Sequence, residues 1–335
     1  MRAFEYASPT TTEQAVKLLA TQPGRTSALA GGSDLLGLMK DGVETPGRLV
    51  NLKGIRELRG IRYSPETGFR LGALATMDEM TSDSVLRLEY PAVAEAAGRL
   101  AGPQIRNVAT VGGNLCQRPR CWYFRNGFGL LPMRNGQSMV LEGDNRYHAV
   151  LGNDGPAYFV SPSTLAPLLI ALDAQVALRG PGGERRLPLE RFFRIPKGEG
   201  EREHDLAPGE IVTEVTIGPP AGRRIASYEV RQRETLDWSL ATASVALEMD
   251  PSGLVTRARV VLGQVAPIPW VAAEAEQLLQ GKAVDAAVAE KAGEAAVQGA
   301  KALSKNRYKI QLARVAVRRA LLAAAGQEVW HERDS

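Results

Sequence analysis

Two glycine pairs are where this sequence first offers chemistry. One lies in Ala30-Gly31-Gly32-Ser33-Asp34-Leu35, the other in Thr110-Val111-Gly112-Gly113-Asn114-Leu115. Lacking a Cβ, glycine lets the backbone approach a ligand closely. It also lets successive N–H groups point one way, which suits a pyrophosphate. Ser33, Thr110 and Asn114 can add side-chain hydrogen bonds. Either pair alone reads as a tight turn. Two pairs, each followed by a small polar residue, point together to a cradled phosphate ligand.

Other chemistry finds little support. There is no G-x-G-x-x-G and no Walker-type phosphate loop, since Gly281-Lys282 runs into Ala283 with no glycine at the required distance before it. No G-x-S-x-G is present, so a hydrolase elbow has no basis. His148, His204 and His331 show no metal-ligand spacing and read as surface or loop residues. The two cysteines, Cys116 and Cys121, are too few for a disulfide framework. Redox chemistry here would have to come from an added cofactor.

The elements around the glycine pairs can be read from punctuation and period. Thr10 and Glu13 have capping-box spacing, with Ala15, Leu18 and Leu19 on one helical face and Pro23-Gly24 as the stop. A strand from Thr26 to Ala30 then delivers the chain into the first pair. Leu49 to Leu52 and Phe69 to Ala73 read as further strands. Thr76 and Glu79 repeat the capping-box spacing and open a helix expected to reach Leu88. Pro91 to Leu100 reads as a helix with proline in its first turn. This alternation indicates an α/β or α+β arrangement.

From Arg118 to about Tyr158 the periodicity fails. Trp122, Tyr123 and Phe124 argue against plain disorder, so the stretch reads as an ordered, inserted excursion. After it come a short helix (Leu165 to Leu172), a hairpin around Gly180-Pro181-Gly182-Gly183, and a strand from Gly209 to Val215. Pro219-Pro220-Ala221-Gly222 is the best boundary. Beyond it, Ala226 to Arg231, Ala241 to Met249 and Leu254 to Val265 read as strands, with Asp250-Pro251-Ser252-Gly253 as a turn. Ile310, Ala313, Val317, Ala320 and Leu321 mark one helical face. The reading is a domain over 1–220, with an insertion at about 117–158, and a second over 223–330.

Composition restricts the class. The 335 residues are 44% hydrophobic and 23% charged, as in a soluble globular protein large enough to need no staples. The net charge of +4 is scattered, which favours a solvated surface over nucleic-acid binding. No apolar run suits a signal peptide or a membrane span. The default location is cytoplasmic, with the periplasm the alternative if a signal-bearing partner carries the chain out folded.

At the glycine pairs the chain resembles the medium, FAD-binding subunits of the molybdenum hydroxylase family: xanthine dehydrogenases, carbon monoxide dehydrogenases and aldehyde oxidoreductases. The resemblance runs from about residue 3 to about 325. Its landmarks are Ala30 to Leu35, Gly72-Ala73 with Thr76, and the most specific run, Ile105-Arg106-Asn107-Val108-Ala109-Thr110-Val111-Gly112-Gly113-Asn114-Leu115. Then follow Ser161-Pro162-Ser163-Thr164-Leu165-Ala166-Pro167, Gly209-Glu210-Ile211-Val212, and Arg231-Gln232-Arg233 with Asp237-Trp238.

The resemblance implies an α+β chain: a two-subdomain FAD-binding domain of the PCMH type, then a C-terminal antiparallel sheet with helices. FAD is the implied cofactor. Ala28, Leu29, Ala30, Gly31, Gly32, Ser33, Asp34 and Leu35 would wrap its pyrophosphate. Ala109, Thr110, Gly112, Gly113 and Asn114 would meet the flavin side and the phosphates. Thr76, Thr164 and Arg231 would add contacts, with Thr164 standing where many relatives carry an aspartate for the adenosine ribose. No residue would be catalytic. Electrons would reach the flavin from [2Fe-2S] clusters on a small partner subunit, after substrate oxidation at a molybdenum cofactor on a large one, and leave to an external acceptor. A heterotrimer is the implied assembly.

A subset of that family carries a [4Fe-4S] cluster in an insertion, and Leu115-Cys116 through Arg125 resembles its start, with Gly143 to His148 resembling its end. Such a cluster normally takes four thiolates. This chain has two, so the expectation is an insertion without a cluster. Two other readings stay open: a structural subunit with degenerate cofactor sites, and a stand-alone flavin oxidoreductase.

Overall fold

The computed structural model describes residues 1–233 and 237–327. It opens with a three-stranded parallel sheet: β1 (Glu5–Ala7), α1 (Thr12–Ala20), β2 (Thr26–Leu29), α2 (Leu35–Lys40) and β3 (Arg48–Asn51), in spatial order β1-β3-β2. The threonine run places the cap of α1 one residue later than expected. Thr11, not Thr10, accepts from the Gln14 N–H. Three consecutive threonines offer three candidate caps, and periodicity alone cannot choose among them.

The second subdomain is built on a five-stranded antiparallel sheet. β4 (Ile61–Ser64) and β5 (Gly68–Gly72) lead into α3 (Met77–Ser82), α4 (Ser84–Glu89), α5 (Pro91–Gly98), α6 (Pro103–Arg106) and α7 (Val111–Leu115). Thr76 and Glu79 form the expected capping box. The helix expected to reach Leu88 instead breaks at Asp83, whose carboxylate accepts from the Leu86 N–H and starts α4. An aspartate binding its own downstream amide competes with helix continuation.

The excursion follows: α8 (Trp122–Arg125), a two-residue hairpin of β6 (Met133–Arg134) and β7 (Gln137–Ser138), and α9 (Met139–Glu142). The chain then returns through α10 (Ala166–Ala171), β8 (Gln175–Gly180), β9 (Gly183–Pro188) and β10 (Ile211–Ile217), closing the sheet in order β4-β5-β10-β8-β9. The α3–α5 helices and α10 bury Phe69, Leu71, Met77, Met80, Tyr90 and Leu169 against this sheet.

The last third is a four-stranded antiparallel sheet, β11 (Arg224–Val230), β12 (Ala241–Met249), β13 (Val255–Gly263) and β14 (Trp270–Val271), in sequential order. The helices α11 (Ala273–Leu279), α12 (Ala286–Ala296) and α13 (Tyr308–Ala324) cover it. Along α13 the expected face is buried at Ala313, Val317, Ala320 and Leu321 and packs with Val245, Leu247 and Leu262. The architecture is α+β, with antiparallel pairing in the two larger sheets. No helix among the described residues is long and apolar enough to cross a membrane.

Candidate functional site

A cleft of about 960 Å³ opens between the first subdomain and the second. Ligand pockets run to roughly 300–1,000 Å³, so a dinucleotide-sized molecule fits. Its floor is apolar, from Leu19, Leu38, Leu52, Leu74 and Ile211. Ala28, Ala30, the run Gly31 to Leu35, Thr110, Gly112, Gly113 and Cys116 all line it. The two glycine pairs, some eighty residues apart in sequence, therefore share one cavity.

The first pair leaves β2 and enters α2. Gly32 has φ +78°, a conformation that β-carbon-bearing residues resist. A Cβ on Gly31 would sit 1.8 Å from the Val108 carbonyl oxygen, so glycine is what lets the two loops touch. The N–H groups of Gly31, Gly32, Ser33, Asp34 and Leu35 have no acceptor among the described residues; the first amide to find one is Leu36, which donates to the Gly32 carbonyl at 3.1 Å. A run of unpartnered amides on residues that line a cleft suits an anion.

The second pair sits at the start of α7. Here the amides are taken. Val111 N–H donates to the Ala75 carbonyl (2.9 Å) and Gly112 N–H to the Ala73 carbonyl (2.8 Å). Gly113 N–H donates to Thr110 Oγ1 at 3.1 Å, an N-cap. A Cβ on Gly112 would meet Ala73 Cβ at 3.0 Å and its carbonyl oxygen at 3.1 Å. This loop is a close-packed wall.

The remaining expected residues fall in several places. Leu29 and Ala109 are buried behind the loops. Thr76 pairs with Thr110 in an isolated antiparallel bridge and caps α3. Asn114 turns into the protein, its Oδ1 accepting from Ser163 Oγ (2.7 Å) and from the Leu165 N–H (3.2 Å). That bond ties the second loop to the Ser161–Pro167 landmark. Thr164 is outside the cleft lining. Arg231 is paired with Glu229 (2.7 Å) and donates to the Arg99 carbonyl (2.9 Å), away from the cleft. Asp34 faces the excursion: its carboxylate accepts from the Arg118 N–H (2.9 Å) and from Arg125 Nη2 (2.8 Å).

The opposite wall comes from β9 and the segment before β10; it includes the Gly209–Val212 landmark and His204, but its arginines were not singled out in the sequence. Arg185, Arg194, Arg202, His204, Asp205 and Glu210 line it. Arg185 is held by Glu210 (2.7 Å) and Asp205 (2.8 Å). Arg202 has no ion-pair partner among the described residues. His204 lies in a loop, as read, but not at the surface: it is buried and packs on Phe192 and Phe193. Burial holds it neutral, its pKa lowered to about 4. His148 is likewise buried, lowered to about 4 by burial and then by Lys309. His331 lies outside the described residues. No sequence motif marks the arginines, which become neighbours only when the sheet closes.

The excursion is ordered and fastened at both ends. At its start, Arg118 and Arg125 hold Asp34. At its end, Asn145 Nδ2 donates to Ser304 Oγ (2.9 Å), and Asn306 Nδ2 donates to the His148 carbonyl (3.2 Å). Lys309, fully buried, donates to the carbonyls of Tyr147 (3.1 Å) and Gln264 (2.6 Å); burial lowers its pKa to about 7. Cys116 lines the cleft, its thiol pushed up to about 12 by burial. Cys121 lies elsewhere, with Sγ 3.1 Å from His148 Nε2, its pKa also raised by burial. Burial thus disfavours the thiolate at both cysteines. Among the described residues no three His, Cys, Asp or Glu side chains converge on a metal position.

Comparison with known proteins gives a consistent picture. The family described as the FAD binding domain in molybdopterin dehydrogenase matches residues 2–221, and the CO dehydrogenase flavoprotein C-terminal domain matches residues 226–324. The chain is 35% identical over 285 residues to the aldehyde oxidoreductase FAD-binding subunit PaoB of Escherichia coli (strain K12), covering 84% of this chain and 87% of that one. It is 31% identical to the carbon monoxide dehydrogenase medium chain of Hydrogenophaga pseudoflava, over 96% of each. Among solved structures, a chain of the Cu,Mo-CO dehydrogenase in its cyanide-inactivated form superposes with a TM-score of 0.76 at 27% identity, covering 98% of this chain and 99% of that one.

Proposed function

This chain belongs to the FAD-binding subunits of the molybdenum hydroxylase family, and on that premise we propose that it is the electron-transfer subunit of such an enzyme, holding FAD in the cleft between its first two subdomains. One observation carries the placement: the residues from Gly31 to Leu35, whose amides have no partner among the described residues, line a cavity of about 960 Å³ with an apolar floor. A pyrophosphate supplies the acceptors those amides lack, and the floor shelters the rings.

Each part of the chain has a separate task. Gly31 to Leu35 bind the phosphates. Gly112 and Gly113 form a tight wall that excludes water from the bound ligand. Asn114 keeps that wall in place through Ser163 and Leu165. Bound FAD supplies an acceptor for single electrons and a donor of pairs. No side chain of this protein needs to give or take a proton in that role. The partners are a large molybdenum subunit and a small [2Fe-2S] subunit, a reading supported by relatives named as medium chains and FAD-binding subunits. The insertion works without an iron–sulfur cluster, since the chain carries two cysteines, Cys116 and Cys121, where such a cluster takes four thiolates.

The visible spectrum of the purified chain, with identification of any cofactor released on denaturation, tests this. Two flavin bands and free FAD are expected. A broad iron–sulfur absorbance with bound iron overturns the statement about the insertion. A colourless protein that takes up no added FAD overturns the whole and leaves the structural-subunit reading.

A further inference from the structure

Arg118 lies between the two cysteines and belongs to neither glycine loop, yet it reaches three separate pieces of the cleft. Its backbone N–H donates to Asp34 Oδ2 (2.9 Å), in the first glycine loop. Its Nη1 bonds Glu44 Oε1 (2.5 Å), on the segment between α2 and β3. Its Nε is paired with Glu203, on the opposite wall. The guanidinium is largely buried and lies 4.8 Å from the centre of the Phe124 ring. Glu203 is only 3% exposed, and its second carboxylate oxygen has no partner among the described residues.

Such an arrangement is specific to arginine. The planar fork presents donors in two directions, so one side chain can hold carboxylates on two walls. A lysine ammonium, on a single flexible stem, would favour one. Because Glu203 is buried, removing the guanidinium leaves an uncompensated charge, and the wall must move to reach water.

We propose that Arg118 is a positioning residue that holds the FAD cleft shut: it ties the first glycine loop and the segment after it to the Glu203 wall, so that bound FAD leaves slowly. The inference rests on the FAD reading above. It gives the insertion a use that needs no cluster, because the residue between the two cysteines does the fastening. Arg118 makes no bond that breaks in the reaction. It acts through Asp34, Glu44 and Glu203.

The test is the rate at which FAD leaves the full chain, followed by recovery of flavin fluorescence. Arg118→Met should release FAD about tenfold faster, a difference of roughly 1.4 kcal/mol. Glu44→Gln, which cuts one arm, should release it about threefold faster. The double variant should release it no faster than Arg118→Met alone, because both changes break the same tie. Arg118→Lys should fall between wild type and Arg118→Met, a graded rescue that a merely structural defect would not show. Visible circular dichroism of the bound flavin should change in Arg118→Met, and Glu44→Gln, which leaves the buried Arg118–Glu203 pair intact, should release FAD faster while the melting of the FAD-free chain moves little. Release within about twofold of wild type, or effects that multiply in the double variant, overturns the proposal. If Arg118→Met fails to fold, an unchanged release rate in Glu44→Gln does the same. A wild-type chain that binds no FAD overturns the FAD reading itself, a separate outcome from bound FAD that Arg118 does not govern.

Discussion

The two glycine loops look alike in sequence and behave oppositely in the fold. Both read Gly-Gly followed by a small polar residue, and both face the same cleft. In the first, the amides from Gly31 to Leu35 have no acceptor among the described residues. In the second, Val111 and Gly112 spend theirs on the carbonyls of Ala75 and Ala73, and Gly113 spends its own on Thr110. The first loop is built to receive an anion; the second is built to stand still beside it. A glycine pair therefore does not by itself announce a phosphate site. What decides is whether a neighbouring strand end has already claimed the amides.

The largest expected effect comes from removing the contact between the loops. In Gly31→Ala the new methyl would lie 1.8 Å from the Val108 backbone oxygen. A backbone cannot yield as a side-chain tip can, so the cost should reach or exceed the roughly 3 kcal/mol top of ordinary overpacking, and FAD binding should vanish. Isothermal titration with FAD checks this; near-normal affinity would mean that the loops do not need their close approach.

Acid should act next, and on the wall behind the second loop. His204 packs on Phe192 and Phe193, and burial lowers its pKa from 6.5 to about 4; His148 is shifted alike. Between those values the unfolded chain takes up protons that the folded chain refuses. Stability should therefore fall as pH drops from 6.5 towards 4, by a few kcal/mol in all. The urea midpoint of the FAD-free chain reads this directly. A midpoint that stays level from pH 7 to pH 5 contradicts it.

Gly112→Ala sharpens the contrast. Its new methyl would meet Ala73 at 3.0–3.1 Å, tight but able to relax. A loss of about 1–3 kcal/mol in stability is expected, with FAD affinity falling less than in Gly31→Ala. The reverse ranking would exchange the roles given to the two loops. Thr110→Ala is the mildest change: loss of the cap on α7 should cost about 1 kcal/mol, visible as a lower melting temperature with FAD binding retained.

Local signals were readable where the partner lies nearby. The Thr76–Glu79 capping box, the hairpin at Pro181-Gly182, the Asp250 turn and the buried face of α13 all follow from residues within a few positions of one another. The first glycine loop was readable for the same reason, because Gly31 and Gly32 announce the backbone shape themselves. The silence of the second loop was not, since Ala73 and Ala75 claim its amides from more than thirty residues upstream. The arginine wall, the burial of His204 and the grip of Arg118 on Asp34 share that origin. They depend on which segments the sheet brings together, and no spacing in the chain encodes them. Asn114 and Arg231 show the converse: residue types suited to a ligand, already engaged by the protein.

The fastening of the excursion to the C-terminal domain also sets an order in time. Asn145, His148 and Tyr147 find their partners at Ser304, Asn306 and Lys309, some 160 positions later. During synthesis those partners emerge well after the groups they serve. Until α13 is made, the end of the excursion has only water for its buried polar groups, and the strap that begins at Arg118 is anchored on one side alone. The excursion, which leaves the ligand cleft at Arg118, is therefore completed only when the C-terminal domain is there to receive its far end.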